Sequence, residues 1–319
     1  MTRLSAWLLL AIALALPLSL LAGRVWIDPL HPVLPNAAVI LAELRLPRGV
    51  LALVVGAGLG CAGAAMQGYL RNPLADPGLF GIAPGAAFGA VLALLAGATA
   101  AYAIPLAALA GGAAAMALLA AIAGRTGGVA LFTLAGMMLA SLAGALTSLA
   151  ISLAPNPFAL SEIVTWLMGA LTDRGWREVW IAAPPTLFGL ALLHRAGRAL
   201  DALTLGEEAA RSLGVEPARL QALLVVGVGL TVGAGVAVAG IIGFVGLIVP
   251  HLVRRFTDRR PSALIAPSAL AGALLVLVAD CLCRVFPLAG GELRLGIALS
   301  LLGAPFFLAL LLKMRRGLA

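Results

Sequence analysis

Long intervals of this chain carry no charged side chain. None occurs from Leu4 to Gly23, from Gly49 to Leu70, from Pro77 to Gly124, from Thr126 to Ser161, or from Leu220 to Val253. A helix crosses about 30 Å of hydrocarbon with about 20 mostly apolar residues, and lipid offers no partner to an unpaired backbone amide. Such intervals therefore predict membrane-spanning α-helices. Composition agrees: the chain is 62% hydrophobic and 11% charged, where soluble domains average about 45–50% and about 25%. A water-soluble core could not hide so much apolar surface, so the fold class is an all-α, polytopic membrane protein.

About ten spans can be marked, near 4–22, 47–68, 78–98, 103–123, 129–153, 177–193, 221–240, 241–253, 262–283 and 294–312, the eighth being short. Placing the N-terminus in the cytoplasm puts Arg3, Arg71, Arg125, Arg195, Arg198, Arg211, Arg219, Arg254, Arg255, Arg259, Arg260, Lys313, Arg315 and Arg316 inside. Arg24, Arg45, Arg48, Arg174, Arg177, Arg284 and Arg294 then lie outside, a split of 14 to 7 among 21 basic residues. The positive-inside rule favours this orientation, with both termini cytoplasmic. The net charge of +8 is spread over short connections and forms no single patch, so nucleic acid is not an expected partner.

Other features are bland. Cys61, Cys281 and Cys283 lie in or beside apolar runs and suit packing as small hydrophobes. The N-terminal run reads as a retained first helix, not a cleaved signal. Small residues recur at four-residue spacing (Gly56 and Gly60; Gly81, Gly85 and Gly89; Gly136, Ala140 and Gly144; Gly229 and Gly233), which in lipid lets helix backbones approach closely. No repeat or linker divides the chain, so residues 1–319 form one transmembrane domain.

Ionisable groups are sparse at membrane depth. Asp76 before Pro77 reads as a helix cap, and Asp280 stands four residues before Arg284, the spacing of an ion pair. His31, His194 and His251 have no spaced ligand partners, so no metal site is expected. The chain lacks a Walker loop, a nucleophile elbow and a zincin motif, and is not expected to be an enzyme. Any ATP-driven step would need a separate ATPase.

The longest internal hydrophilic stretch, residues 194–220, contains Leu205, Gly206, Glu207, Glu208, Ala209, Ala210, Arg211, Ser212, Leu213 and Gly214, a short helix-like segment ending at glycine. Glu208-Ala209-Ala210 followed by Gly214 resembles the coupling segment of ABC importer permeases, although a solvated loop helix would look the same. Longer stretches speak more specifically. Arg45-Leu46-Pro47-Arg48, Gly63 to Gly68, and Arg71-Asn72-Pro73-Leu74-Ala75-Asp76-Pro77-Gly78 resemble the signature of the FecCD family of binding-protein-dependent permeases. Gly240 to His251, Ala279-Asp280 with Arg284, and Gly303-Ala304-Pro305-Phe306-Phe307 continue that likeness, which covers residues 40–315.

The resemblance implies a type II ABC importer permease fold in the bacterial inner membrane. It implies a homodimer, two cytoplasmic ATPase subunits carrying ATP and Mg, and one periplasmic substrate-binding protein, with no cofactor on this chain. Arg45, Arg48 and Arg284 match arginines that receive acidic residues of the binding protein, although snorkelling or pairing within the chain would also suit them. The ATPase contact falls on Leu205, Gly206, Glu207, Glu208, Ala209, Ala210, Leu213 and Gly214. The external stretch 154–172, with Pro155, Asn156, Glu162 and Trp166, is expected to help gate the path as an irregular cap, or to form a passive loop. One departure is Glu292-Leu293-Arg294-Leu295-Gly296, where the family commonly has proline in place of Arg294; it either tunes the outer mouth or is a neutral loop change. Haem or a ferric siderophore is favoured as cargo, with cobalamin next. The alternative is an ion-coupled secondary carrier working without an ATPase.

Overall fold

The computed structural model describes residues 3–23, 26–27, 36–123, 128–286 and 291–316, and is all-α. The readings placed on Arg24, His31 and Arg125, and on the side chains of Arg315 and Arg316, lie outside the described residues. Among the described residues, twelve α-helices run in chain order: α1 (Arg3–Leu21), α2 (Ala37–Tyr69), α3 (Ile82–Leu95), α4 (Ala103–Ala123), α5 (Val129–Ser152), α6 (Pro157–Leu167), α7 (Trp176–Leu203), α8 (Glu207–Ser212), α9 (Pro217–Ala239), α10 (Val245–Arg254), α11 (Pro261–Val285) and α12 (Leu295–Arg316). Seven of these (α1, α2, α4, α5, α9, α11 and α12) are long and apolar enough to cross a membrane.

Each of the ten expected spans has its helix, with three differences. First, α2 begins at Ala37, ten residues before the expected start at Pro47, and runs 33 residues. A proline ring normally clashes with the carbonyl four residues back. Here the turn from Ile40 to Arg45 is π-helical, which shifts the hydrogen-bond register just ahead of Pro47 and lets the helix continue. Second, α7 continues to Leu203, past the expected end at 193. Third, the stretch expected to be irregular contains α6, because Asn156 accepts a hydrogen bond from the Ala159 amide at 2.9 Å and Pro157 takes the first helical position.

The core is α2, with Leu51, Val55, Leu59 and Met66 buried among Leu193 and Leu200 of α7, Leu224 and Val228 of α9, and Ile265 and Val276 of α11. Small residues set the spacing. A Cβ placed on Gly56 would stand 2.3 Å from the Gly272 carbonyl oxygen, and one on Gly60 would stand 2.1 Å from that of Ser268, so α2 and α11 touch backbone to backbone. Gly89 meets the Ala107 carbonyl at 2.1 Å in the same way, joining α3 to α4. Gly144 and Gly233 depart from this pattern, facing open space within 4 Å.

Side chains define the two ends of the bundle. At one end, Tyr69 of α2 shares a small cavity with Glu207 and Ala210 of α8, Arg254 reaches Gln67 at 3.0 Å, and Asp201 of α7 binds Ser262 of α11. Ser5 lines a cavity with His194 and Ser262, and Lys313 lines another with Arg254, so the start of α1 and the end of α12 share this face. At the other end, Arg45 binds the last carbonyls of α1, and Arg48 meets Asp280 and Glu292.

Candidate functional site

The end of the bundle opposite α8 holds a buried ionic cluster built by three elements. Arg48 of α2 donates to Asp280 of α11 through Nε, at 3.1 and 3.0 Å to the two carboxylate oxygens, and through Nη2 at 2.8 Å. The same Nη2 lies 2.9 Å from Glu292, in the connection before α12, and Glu292 also accepts from Thr172 at 3.0 Å. Burial by itself would raise the Glu292 carboxyl, but the hydrogen bond and charge of Arg48, helped by Thr172 and Arg284, outweigh it and hold the group below its ordinary value. Asp280 takes a second cation, Arg284 Nε at 3.2 Å, the expected pair at i,i+4. That approach is poorly aligned, and Arg284 Nε and Nη2 make no hydrogen bond while buried.

The three arginines expected to dock a binding protein therefore differ. Arg48 and Arg284 are taken up inside the chain, with side chains 11% and 5% exposed. Arg45 is half-buried and directs Nη1 to the carbonyls of Leu20 and Leu21, both at 2.8 Å, in the last turn of α1, where carbonyls lack intrahelical donors; the Leu21 carbonyl also accepts from the Ile27 amide at 3.2 Å. Arg284 Nη1 extends this cap to the Ala22 carbonyl at 3.4 Å. The pairing of Asp280 with Arg284 was legible from spacing. Recruitment of Arg48 was not, since it lies 232 residues from Asp280, and Glu292 joins the cluster only through Arg48. Arg294 is half-buried and makes no ion pair among the described residues.

Near this end, α6, α9 and α12 converge on glycines. Gly240 has φ +70° and its Cβ position lies 2.3 Å from the Trp166 carbonyl, while the Gly296 amide donates to Gly169 at 3.0 Å and the Ala170 amide to Ala239 at 2.8 Å. Gly240, where the non-helical backbone between α9 and α10 begins, is thus buried against protein, the condition under which such backbone is tolerated at membrane depth. Of the expected gate residues, Trp166 reaches this junction, whereas Pro155, Asn156 and Glu162 are exposed. Ile163, one turn before Leu167, is the fully buried residue that seats α6.

On the α8 face, Gly206 (φ +108°) and Gly214 (φ +85°) bracket the six-residue helix, positions where L side chains are strained. Ala210 is buried and anchors it, Glu207 and Ala209 are half-buried, Glu208 is exposed, and Leu205 and Leu213 project at 68% and 64% exposure. Asp201, two residues before the end of α7, accepts from the Ser262 amide at 2.8 Å and its hydroxyl at 2.5 Å. It thereby caps α11 from another helix. Sequence reasoning missed it, as no local signal marks a cap supplied from 61 residues away.

Asp76 caps as expected, accepting from the Gly78 amide at 2.7 Å, although the turn that begins at Pro77 is a 3-10 helix. No cluster of metal ligands occurs among the described residues. The three cysteines are free, Cys61 and Cys283 being buried.

The FecCD transport family matches residues 9–313. Vitamin B12 import system permease proteins BtuC of Salmonella paratyphi A and Salmonella typhimurium are each 39% identical to the chain, covering 97% of it and 96% of their own length. A solved metal-chelate type ABC transporter in an inward-facing conformation superimposes with a TM-score of 0.90 at 32% identity, covering 98% of this chain and 100% of its own. The chain is a multi-pass membrane permease and belongs to the FecCD transport family.

Proposed function

We propose that the chain is one half of the translocation path of an ATP-driven, binding-protein-dependent importer of a bulky metal chelate in the bacterial inner membrane. The observation that carries this reading is the full-length likeness to permeases of such systems, in sequence and in backbone. Two copies form the path, two ATPase subunits carrying ATP and Mg meet the α8 face, and a periplasmic binding protein meets the face of Arg45. Both termini then lie in the cytoplasm, with the basic residues of the α8 face. Likeness to B12 permeases makes cobalamin the first cargo to test, ahead of haem and ferric siderophores.

The geometry suggests how the faces communicate. Leu205 and Leu213 offer an apolar seat to an ATPase cleft, α8 follows α7 directly, and Asp201 ties the end of α7 to the start of α11. Because α11 touches α2 backbone to backbone, and Asp280 grips Arg48 at the far end, a push on α8 would move α2 and α11 as one rigid pair. Binding-protein docking falls on Arg45, with Arg48 and Arg284 holding the rim in place from within. For the gate we favour Trp166, because its carbonyl meets Gly240 at the glycine junction of α6, α9 and α12.

The test is reconstitution in proteoliposomes with the ATPase and the binding protein, measuring uptake of cobalamin, haem and a ferric siderophore in parallel. ATP-dependent uptake of one of them is expected. Uptake by the chain alone under an ion gradient would overturn the proposal.

A further inference from the structure

The π-helical turn at the start of α2, Ile40–Arg45, leaves a backbone group that the helix cannot satisfy by itself. The Leu46 amide closes the turn on the Leu41 carbonyl, five residues back. In that register the Ala42 carbonyl would next take the amide of residue 47, and residue 47 is proline, which has none. The donor comes from another helix. Trp176, the first residue of α7, directs its indole Nε1 to the Ala42 carbonyl at 3.1 Å.

Two registers compete at this turn. In the α-register, Leu46 would donate to Ala42, four residues back, and the Pro47 ring would press on the Glu43 carbonyl. The π-register relieves that clash but strips Ala42 of its donor within the helix. The indole N–H restores a partner, so Pro47 and Trp176 favour the same wide turn for different reasons. Trp176 is itself well held. Its ring packs on the core, the buried Glu178 accepts from the Gly175 amide at 2.8 Å to fix the first turn of α7, and Arg177 lies over the Tyr102 ring at 5.9 Å.

The register decides where Arg45 points. Arg45 is the last residue of the π-turn, three residues after Ala42, and reaches the Leu20 and Leu21 carbonyls of α1, both at 2.8 Å. The space there is close-fitting: a Cβ on Gly23 would stand 2.8 Å from Arg45 Nη2. Each residue of an α-helix turns the chain by about 100°. A shift of register would therefore turn Arg45 relative to Arg48, which Asp280 holds in place beyond Pro47.

We propose that Trp176 is a positioning residue for binding-protein docking: by donating to the Ala42 carbonyl it keeps the outer turn of α2 in the π-register and so sets where Arg45 presents its charge. The inference rests on the docking role of Arg45 proposed above. Trp176 acts through Arg45 and not by contact with the binding protein.

The experiment measures association of the binding protein with the full chain, assembled with its ATPase, for the native protein, W176F, R45Q and W176F/R45Q. Hydrogen–deuterium exchange across residues 40–46 is followed in parallel. W176F keeps an aromatic ring and loses the N–H. It is expected to weaken association about two- to tenfold, the scale of one hydrogen bond, and to speed exchange in the turn at least about twofold. The effect on association should vanish in the R45Q background, where a general folding defect would persist. Unchanged exchange in W176F would show that the indole does not hold the turn, and an equal loss with and without Arg45 would show that Trp176 acts elsewhere; either result overturns the inference. Native affinity in W176F beside weakened R45Q would overturn it alone, whereas native affinity in R45Q would remove the docking role of Arg45 and this inference with it.

Discussion

Arg48 and Asp280 lie 232 residues apart in sequence, yet the guanidinium of one grips the carboxylate of the other through three hydrogen bonds of 2.8–3.1 Å. The pair closes one end of the α2–α11 contact that Gly56 and Gly272 make possible. It is buried, so each partner depends on the other for its solvation.

Removing one partner should therefore be costly. Asp280→Asn or Arg48→Met leaves a buried charge short of its counterpart and is expected to destabilise the protein by about 3–5 kcal/mol. The double variant R48M/D280N should lose less than the sum of the two, with a coupling of about 1–3 kcal/mol. Thermal unfolding in detergent across the four proteins measures this; strict additivity would show that the pair contributes nothing of its own.

Close backbone approach gives a sharper contrast. Gly272→Ala puts a methyl 2.2 Å from the Gly56 carbonyl oxygen, where only backbone could yield, whereas Gly144→Ala meets nothing within 4 Å. The first should lower stability by at least about 1–3 kcal/mol, and the second should leave the melting temperature of the isolated chain unchanged. Similar melting of both variants would refute the tight α2–α11 seam.

Glu292 predicts a pH dependence. Its folded carboxyl is held below the ordinary value of 4.5 by Arg48 and Thr172 despite burial. A depressed acid stabilises the fold fully above its unfolded value, and the contribution fades as pH falls through the folded one. Stability should thus be insensitive to Glu292 protonation near neutrality and decline under acid. Melting curves of the native chain and Glu292→Gln across that range should converge at low pH; a constant gap would contradict the assignment.

At the α8 face, Leu205→Asp with Leu213→Asp alters two side chains that support no core. Stability should stay within about 0.5 kcal/mol of the native chain, while co-purification with the ATPase and ATP-dependent uptake fall at least about tenfold. Retained ATPase association would remove α8 from the interface.

For binding-protein docking, Arg45→Gln removes the charge while keeping a side-chain donor for the Leu20 and Leu21 carbonyls, whereas reversing Arg48 would break the internal cluster. Association with the binding protein should weaken and lose part of its salt dependence. Affinity and salt slope identical to the native chain would exclude Arg45 from the contact.

Helices at the ten expected positions, seven of them long and apolar enough to cross a membrane, the cap at Asp76, the pair of Asp280 with Arg284 and the short helix at Glu207–Ser212 were legible in the sequence, because each rests on local periodicity, local capping or i,i+4 spacing. The small-residue faces were only half legible. Gly56, Gly60, Gly85 and Gly89 do meet backbone, while Gly144 and Gly233 do not, since spacing alone cannot say which helix lies opposite. The order in α6 was readable in principle from the Asn156-Pro157 cap, whereas the start of α2 was not, since it depends on a π-turn ahead of Pro47, backbone geometry that no residue code specifies. Only tertiary structure decided that Arg48 joins Asp280 and Glu292, that Asp201 caps α11, and that Lys313 joins the arginines that follow His251. These contacts link residues far apart in the chain, and their existence depends on how closely α2, α7, α10, α11 and α12 pack. Hydrophobic patterning put the helices in the membrane; the polar groups acquired their partners only once the helices had met.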